Sequence, residues 1–124
     1  MVKLSVERAL RTLGLDHADF LLLGWYNDLP WGNIMDAARS LRERGRVSHL
    51  ALSGHRRTLF PELLVESDIE ACHVRYNAVH RGAEREVFPA FAARQVSERP
   101  GLVTFTTTRW GHLCDPRKTP KGER

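Results

Sequence analysis

Four short apolar runs, each closing on residues able to touch a ligand, restrict what this chain can fold into. They are Ala18–Leu23 before Gly24 and Trp25, Val47–Leu52 before Ser53, Gly54 and His55, Ala71–Val74 before Tyr76 and Asn77, and Leu102–Phe105 before Thr106, Thr107 and Thr108. Their centres recur roughly every 25–30 residues, the length of one strand-plus-helix unit. In parallel α/β folds, chemistry sits beyond the carboxyl ends of the strands. Functional side chains are therefore expected just after each run.

The segments between the runs read as helices. Ser5 is expected to cap a helix to about Leu13, with Val6, Ala9, Leu10 and Leu13 as its apolar stripe and Gly14 just past its end. Ile34, Ala37, Ala38 and Leu41 mark a second helix that stops at Gly45. Thr58–Glu66 is a short third candidate, and Val87, Phe88, Phe91 and Ala92 mark a fourth. Pro89 in that last pattern fits either a helix start near 88–89 or a kink in a helix from Ala83. Ala18–Leu23 shows little alternation, as expected of a strand covered on both faces. The expectation is an α/β fold of about four parallel strands alternating with helices, joined by right-handed crossovers.

At 124 residues the chain makes one domain at most. No apolar run approaches the roughly 20 residues of a membrane helix, and Met1–Ser5 begins no signal peptide. A cytoplasmic location with no membrane partner is expected. Cys72 and Cys114 form no disulfide framework and are expected as free thiols. The formal net charge is +4, but the arginines are scattered, with Arg8, Arg11, Arg39, Arg42 and Arg44 near Glu7 and Glu43. That pattern describes solvated helix faces, and no nucleic-acid partner is expected. His49, His55, His80 and His112 lack metal-ligand spacing, so no metal is expected. Arg56 and Arg57 either meet a phosphate or lie in a solvated loop. Parity puts His73 and Arg75 on one strand face and Cys72 and Val74 on the other. Trp25, Trp31 and Trp110 lie past or between strand ends, as pocket walls or as lids.

Four stretches, taken in order, carry a resemblance. Ser5–Gly14 followed by Asp19–Leu23, then Arg42–Ser53, then Val74–Pro89, then Phe105–Leu113 are similar to the central and C-terminal part of the aldo/keto reductases, over roughly residues 3–116. The resemblance implies half of a (β/α)8 TIM barrel over residues 1–116, covering the family's fourth to seventh strands, with a basic tail at 117–124 expected to be disordered. It further implies an NADP(H)-dependent oxidoreductase that reduces a small carbonyl substrate to an alcohol. Ser53, His73, Phe105, Thr106, Thr107 and Arg109 fall at cofactor-binding positions, together with Thr108. Trp25 and Trp110 would wall the substrate pocket.

Departures from the family pattern are as informative. The family's Asp, Tyr and Lys belong to strands this chain lacks, and its catalytic His falls at Gly24, which cannot move a proton. Ser53-Gly54 stands where Ser-Asn is usual, and His73 where Gln is usual. Gly24 reads either as a lost catalytic group or as a tight turn. The chain is therefore expected to be incompetent as a reductase alone. A different class of reading is a non-catalytic half-barrel that works by association, either as a homodimer or on a partner protein, through its exposed sheet edges. An open nucleotide-binding α/β module ranks last, because no glycine-rich loop follows the first run.

Overall fold

A computed structural model describes residues 1–118 of the chain. The tail expected to be disordered lies, from residue 119 onward, outside the described residues. The element order is α1 (Val2–Leu13), β1 (Ala18–Trp25), α2 (Gly32–Glu43), β2 (Val47–Ser53), α3 (Leu59–Glu66), β3 (Ala71–Arg75), α4 (Ala83–Glu86), α5 (Phe88–Ala92) and β4 (Gly101–Phe105). Short 3-10 turns at Val96–Glu98 and His112–Cys114 complete it. The strands form one sheet in the order β1-β2-β3-β4, and every pairing is parallel. This is the α/β layout of a partial TIM barrel, open along β1 and β4.

One face of the sheet carries the core. Leu50, Leu52, Cys72 and Val74 pack there against Met35, Ala38 and Leu41 of α2, Leu59, Phe60 and Leu63 of α3, and Val87 and Phe91 beside and within α5. Each fully buried aliphatic or aromatic side chain contributes about 1.5–3 kcal/mol. The layer of helices on this face accounts for the fold's stability.

Three local expectations change. Ser5 lies inside α1, not at its cap, and its Oγ donates to the Met1 carbonyl at 3.2 Å. The helix starts earlier because Val2 and Val6 both pack on the core, so the apolar stripe runs back past Ser5. Around Pro89 the pattern resolves into two short helices broken at Val87 (φ −126°), with the proline in the first turn of α5, where its missing N–H has no role. Strand β1 is not covered on both faces. Leu21 and Leu23 pack on the core, but Phe20 and Leu22 are 58% and 45% exposed. Both faces of the strand are apolar because its sequence suits a sheet covered twice, and this sheet has helices on one side.

The glycine stops hold. Gly14 and Gly45 both sit in the left-handed region at φ +67°, and the Gly14 N–H reaches the Arg11 and Leu10 carbonyls.

Candidate functional site

Residues in register on parallel strands share a face, and that rule builds the site. Trp25 pairs with Ser53, Ser53 with His73, His73 with Val103, and Arg75 with Phe105. These side chains occupy the inner face, opposite the helices, at the carboxyl ends of the strands. Ser53, His73, Phe105 and Trp25 are thus brought to one rim. Trp25 reaches it through a register shift between Leu22 and Trp25, where Gly24 adopts φ +119°. Side chains rarely tolerate that angle. A Cβ at Gly24 would meet only Tyr26 Cε2, at 3.6 Å, so the backbone angle and not space calls for glycine. The tight-turn reading of Gly24 therefore has a geometric basis.

Beyond the rim, the strand exits are stitched together in pairs. Asn27 Oδ1 accepts from the His55 and Arg56 N–H groups at 3.1 and 3.0 Å, and the Tyr26 N–H donates to the Ser53 carbonyl at 2.8 Å. Asn77 does the same between β3 and β4. Its Oδ1 accepts from the Val79 and His80 N–H groups at 3.0 and 2.9 Å, and its Nδ2 donates to the Thr106 carbonyl at 2.9 Å. Asn77 is the only polar side chain among the described residues to be fully buried, at 4% exposure. Its position after an apolar run suggests ligand contact, but its bonds are all spent on the backbone. Gly54, where the family's Asn is usual, lies against the Tyr26 carbonyl, so that any Cβ there would overlap the oxygen.

The loop after β4 is unusual. Thr106, Arg109 and Trp110 all have positive φ, at 57°, 49° and 54°, without being glycine. For a β-branched threonine this is a strained conformation of the kind concentrated at ligand sites. The turn is held by the Arg109 N–H on the Thr106 carbonyl at 2.9 Å and the Leu113 N–H on the Thr108 carbonyl at 3.1 Å. Thr107 and Thr108 are exposed on it, and Trp110 lies under the Arg75 guanidinium at 5.2 Å. Arg75 Nε and Thr106 Oγ1 are buried without a hydrogen-bond partner.

A shallow cavity of about 250 Å³ opens at the rim, lined by Trp25, Ser53, His55 and Phe105. The His55 ring lies edge-on to Trp25 at 4.8 Å and 6.2 Å from Phe105. His55 was legible in one respect: it stands among the residues just past the second apolar run.

Other candidates are committed elsewhere. Arg57 pairs with Glu86 through two contacts of 2.7 and 3.1 Å, and Arg56 with Asp28 at 2.8 Å, so the possible phosphate pair is engaged within the protein. The Arg57 guanidinium holds the Glu86 carboxyl below its ordinary value. Arg81, then the Tyr76 hydroxyl, do the same for Glu84. The Arg57–Glu86 and Arg81–Glu84 pairs line a polar cavity of about 550 Å³ beside α4. Trp31 immediately precedes α2, is exposed, and is not among the residues lining the rim cavity. Cys72 is buried, which pushes its thiol up to about 12, while Cys114 is exposed, and both are free. Among the described residues no cluster of three metal-ligating side chains exists, and no helix is long and apolar enough to cross a membrane.

A parallel α/β half-sheet with its candidate site at the strand exits belongs, by architecture, with partial TIM barrels. Comparison with solved structures narrows this to a resemblance to the aldo/keto reductases. The chain is similar to the aldo-keto reductase AKR11C1 from Bacillus halodurans in its holo form, at 25% identity and a TM-score of 0.77, over 98% of this chain and 39% of that one. It is similar to a putative 2,5-diketo-D-gluconic acid reductase B at 28% identity and a TM-score of 0.69, over 90% of this chain and 39% of that one. An aldo/keto reductase from Klebsiella pneumoniae, solved in complex with NADP and acetate, shares the fold at 20% identity and a TM-score of 0.66, over 87% of this chain and 37% of that one. The chain spans about two fifths of the length of these structures. No protein-family model and no curated protein matches the sequence.

Proposed function

We propose that this chain is the cofactor-facing part of an NADP(H)-dependent, cytoplasmic oxidoreductase of the aldo/keto reductase kind, corresponding to its fourth to seventh strands. A complete barrel would reduce a small carbonyl compound to an alcohol. The carrying observation is the gathering of Ser53, His73 and Phe105 on one face at one rim, beside the strained Thr106–Trp110 loop. The residues present suit the cofactor. Unpartnered donors at Arg75 Nε and Thr106 Oγ1 match the acceptor-rich amide and phosphates of a dinucleotide. In this reading Ser53 and His73 hold the carboxamide, Phe105 stacks on the nicotinamide ring, and Thr106, Thr107 and Arg109 follow the pyrophosphate. Trp25 and Trp110 wall the substrate. The cofactor, when bound, supplies the hydride. The chain by itself has no group to protonate the product alkoxide at the family's position, because Gly24 stands there.

The test is a titration with NADPH and, separately, with adenosine, followed by tryptophan fluorescence. Quenching by NADPH alone, reduced in F105A, is expected. Equal responses to the two ligands, or none to NADPH, remove the cofactor assignment.

A second reading is favoured by the bare edges of β1 and β4 and by the exposed inner-face residues Phe20, Leu22 and Val103. In it the half-barrel acts through association with a second copy, and its edges pair as β4 to β1 in both directions.

A further inference from the structure

The register of the sheet fixes how its two open edges can be closed. Leu22 of β1 lies level with Ala51, Ala51 with Ala71, and Ala71 with Gly101, the first residue of β4. In a closed parallel barrel of eight strands, a line drawn through level residues returns to its starting strand displaced by eight residues, the shear. Two copies of this sheet related by a twofold axis supply eight parallel strands, and each copy then supplies half of that displacement. Starting from Leu22, a step of four residues brings Gly101 level with Ala18 of the second copy, the first residue of β1. The opposite step brings it level with Tyr26, beyond the end of β1, where no strand is left to pair. One register remains, and it starts the two edge strands together.

We propose that the partner of this sheet is a second copy of the chain, joined β4 to β1 at both edges in this one register to close an eight-stranded barrel. This pairing rests on the association reading above and adds its register. The step of four is even, so inner-face residues meet inner-face residues. Val103 comes level with Phe20 of the second copy, and Phe105 with Leu22. Phe20, Leu22 and Val103 are the inner-face side chains of the edge strands left 58%, 45% and 46% exposed, so the register covers residues that the single copy leaves bare. On the helix side, Val2, Val6, Leu21 and Leu23 line an apolar groove of about 240 Å³ between α1 and β1, which puts a helix beside the strand that would form each new junction. Charge agrees with the register as well. Arg99, just before β4, comes level with Asp16 of the second copy, just before β1, and both are exposed.

Thiol pairs on the edge strands read the register. Cys72 is buried, and C114S removes the exposed thiol. In that background F20C/V103C and L22C/F105C are level pairs across the junction, while F20C/F105C and L22C/V103C are diagonal ones. Within one copy β2 and β3 lie between β1 and β4, so a second copy is needed to join them. Level Cα atoms lie about 4.8 Å apart, inside the roughly 4.4–6.8 Å of a disulfide, and diagonal ones about 8 Å apart, so under mild oxidation the level pairs are expected to form a covalent dimer at least about fivefold faster. On the unaltered chain, amide exchange across a dilution series is expected to show β1 and β4 both protected in the dimer and both exchanging in the monomer. A discrete dimer in which diagonal pairs react as fast as level ones, or in which either edge strand exchanges as freely as in the monomer, overturns the closed barrel and leaves the association reading standing. A monomer at every concentration, or a polydisperse aggregate, ends the association reading and this inference with it. The exchange measurement decides closure even if the thiol variants do not fold.

Discussion

At Gly54 the backbones of two strand exits touch, and one methyl group is enough to part them. A Cβ there would overlap the Tyr26 carbonyl oxygen, and neither atom belongs to a flexible side chain. G54A is expected to lose more than about 2 kcal/mol of stability in urea denaturation. Gly32, the first residue of α2, has open space around its Cβ direction and an ordinary backbone angle, so G32A should stay within about 0.5 kcal/mol of the parent. Similar losses in the two variants would contradict the close-approach account. An asparagine at 54 would have to displace the neighbouring strand exit.

The elements are joined at their carboxyl ends by two asparagines with parallel jobs and unequal burial. Asn77 satisfies three backbone groups from a buried position, whereas Asn27 satisfies two from an exposed one. Water can replace the second set but not the first. N77A is therefore expected to cost about 2–3 kcal/mol, and N27A under about 1.5 kcal/mol. Faster amide exchange should appear at Val79 and His80 in N77A, and at His55 and Arg56 in N27A. Equal destabilisation by the two changes would mean that burial does not set the cost. Helix periodicity located α2, whose stripe residues Ala38 and Leu41 are buried, but it passed over Met35, which is buried beside them. It misjudged the start of α1, where packing of Val2 and Val6 outweighed the capping preference of Ser5.

Across the whole molecule, the sheet's inner face is the unresolved demand of the sequence. Phe20, Leu22 and Val103 lie there exposed, and both outer strands leave backbone groups unpaired. If a second copy answers that demand, light scattering of the chain will give a discrete dimer, and the double change L22K/V103K will give a monomer with unchanged helix content. A polydisperse aggregate from the parent chain, or a dimer that survives both lysines, counts against the association reading. In the oxidoreductase reading the same face is the interior of a larger barrel, and apolar residues there have the role that barrel interiors give them.

The spacing of apolar runs by itself pointed to the parallel α/β layout and to four strands side by side in chain order. Those are consequences of a two-residue repeat and a fixed unit length, which a linear sequence records directly. Tertiary structure decided what depends on neighbours distant in sequence. Strand pairing put Trp25, through the turn at Gly24, in line with Ser53 and His73. It spent Asn77 on the backbone and Arg57 on Glu86, and it left His55 with no partner of its own. Local sequence fixes which way a side chain points, and only the folded chain fixes what it meets there.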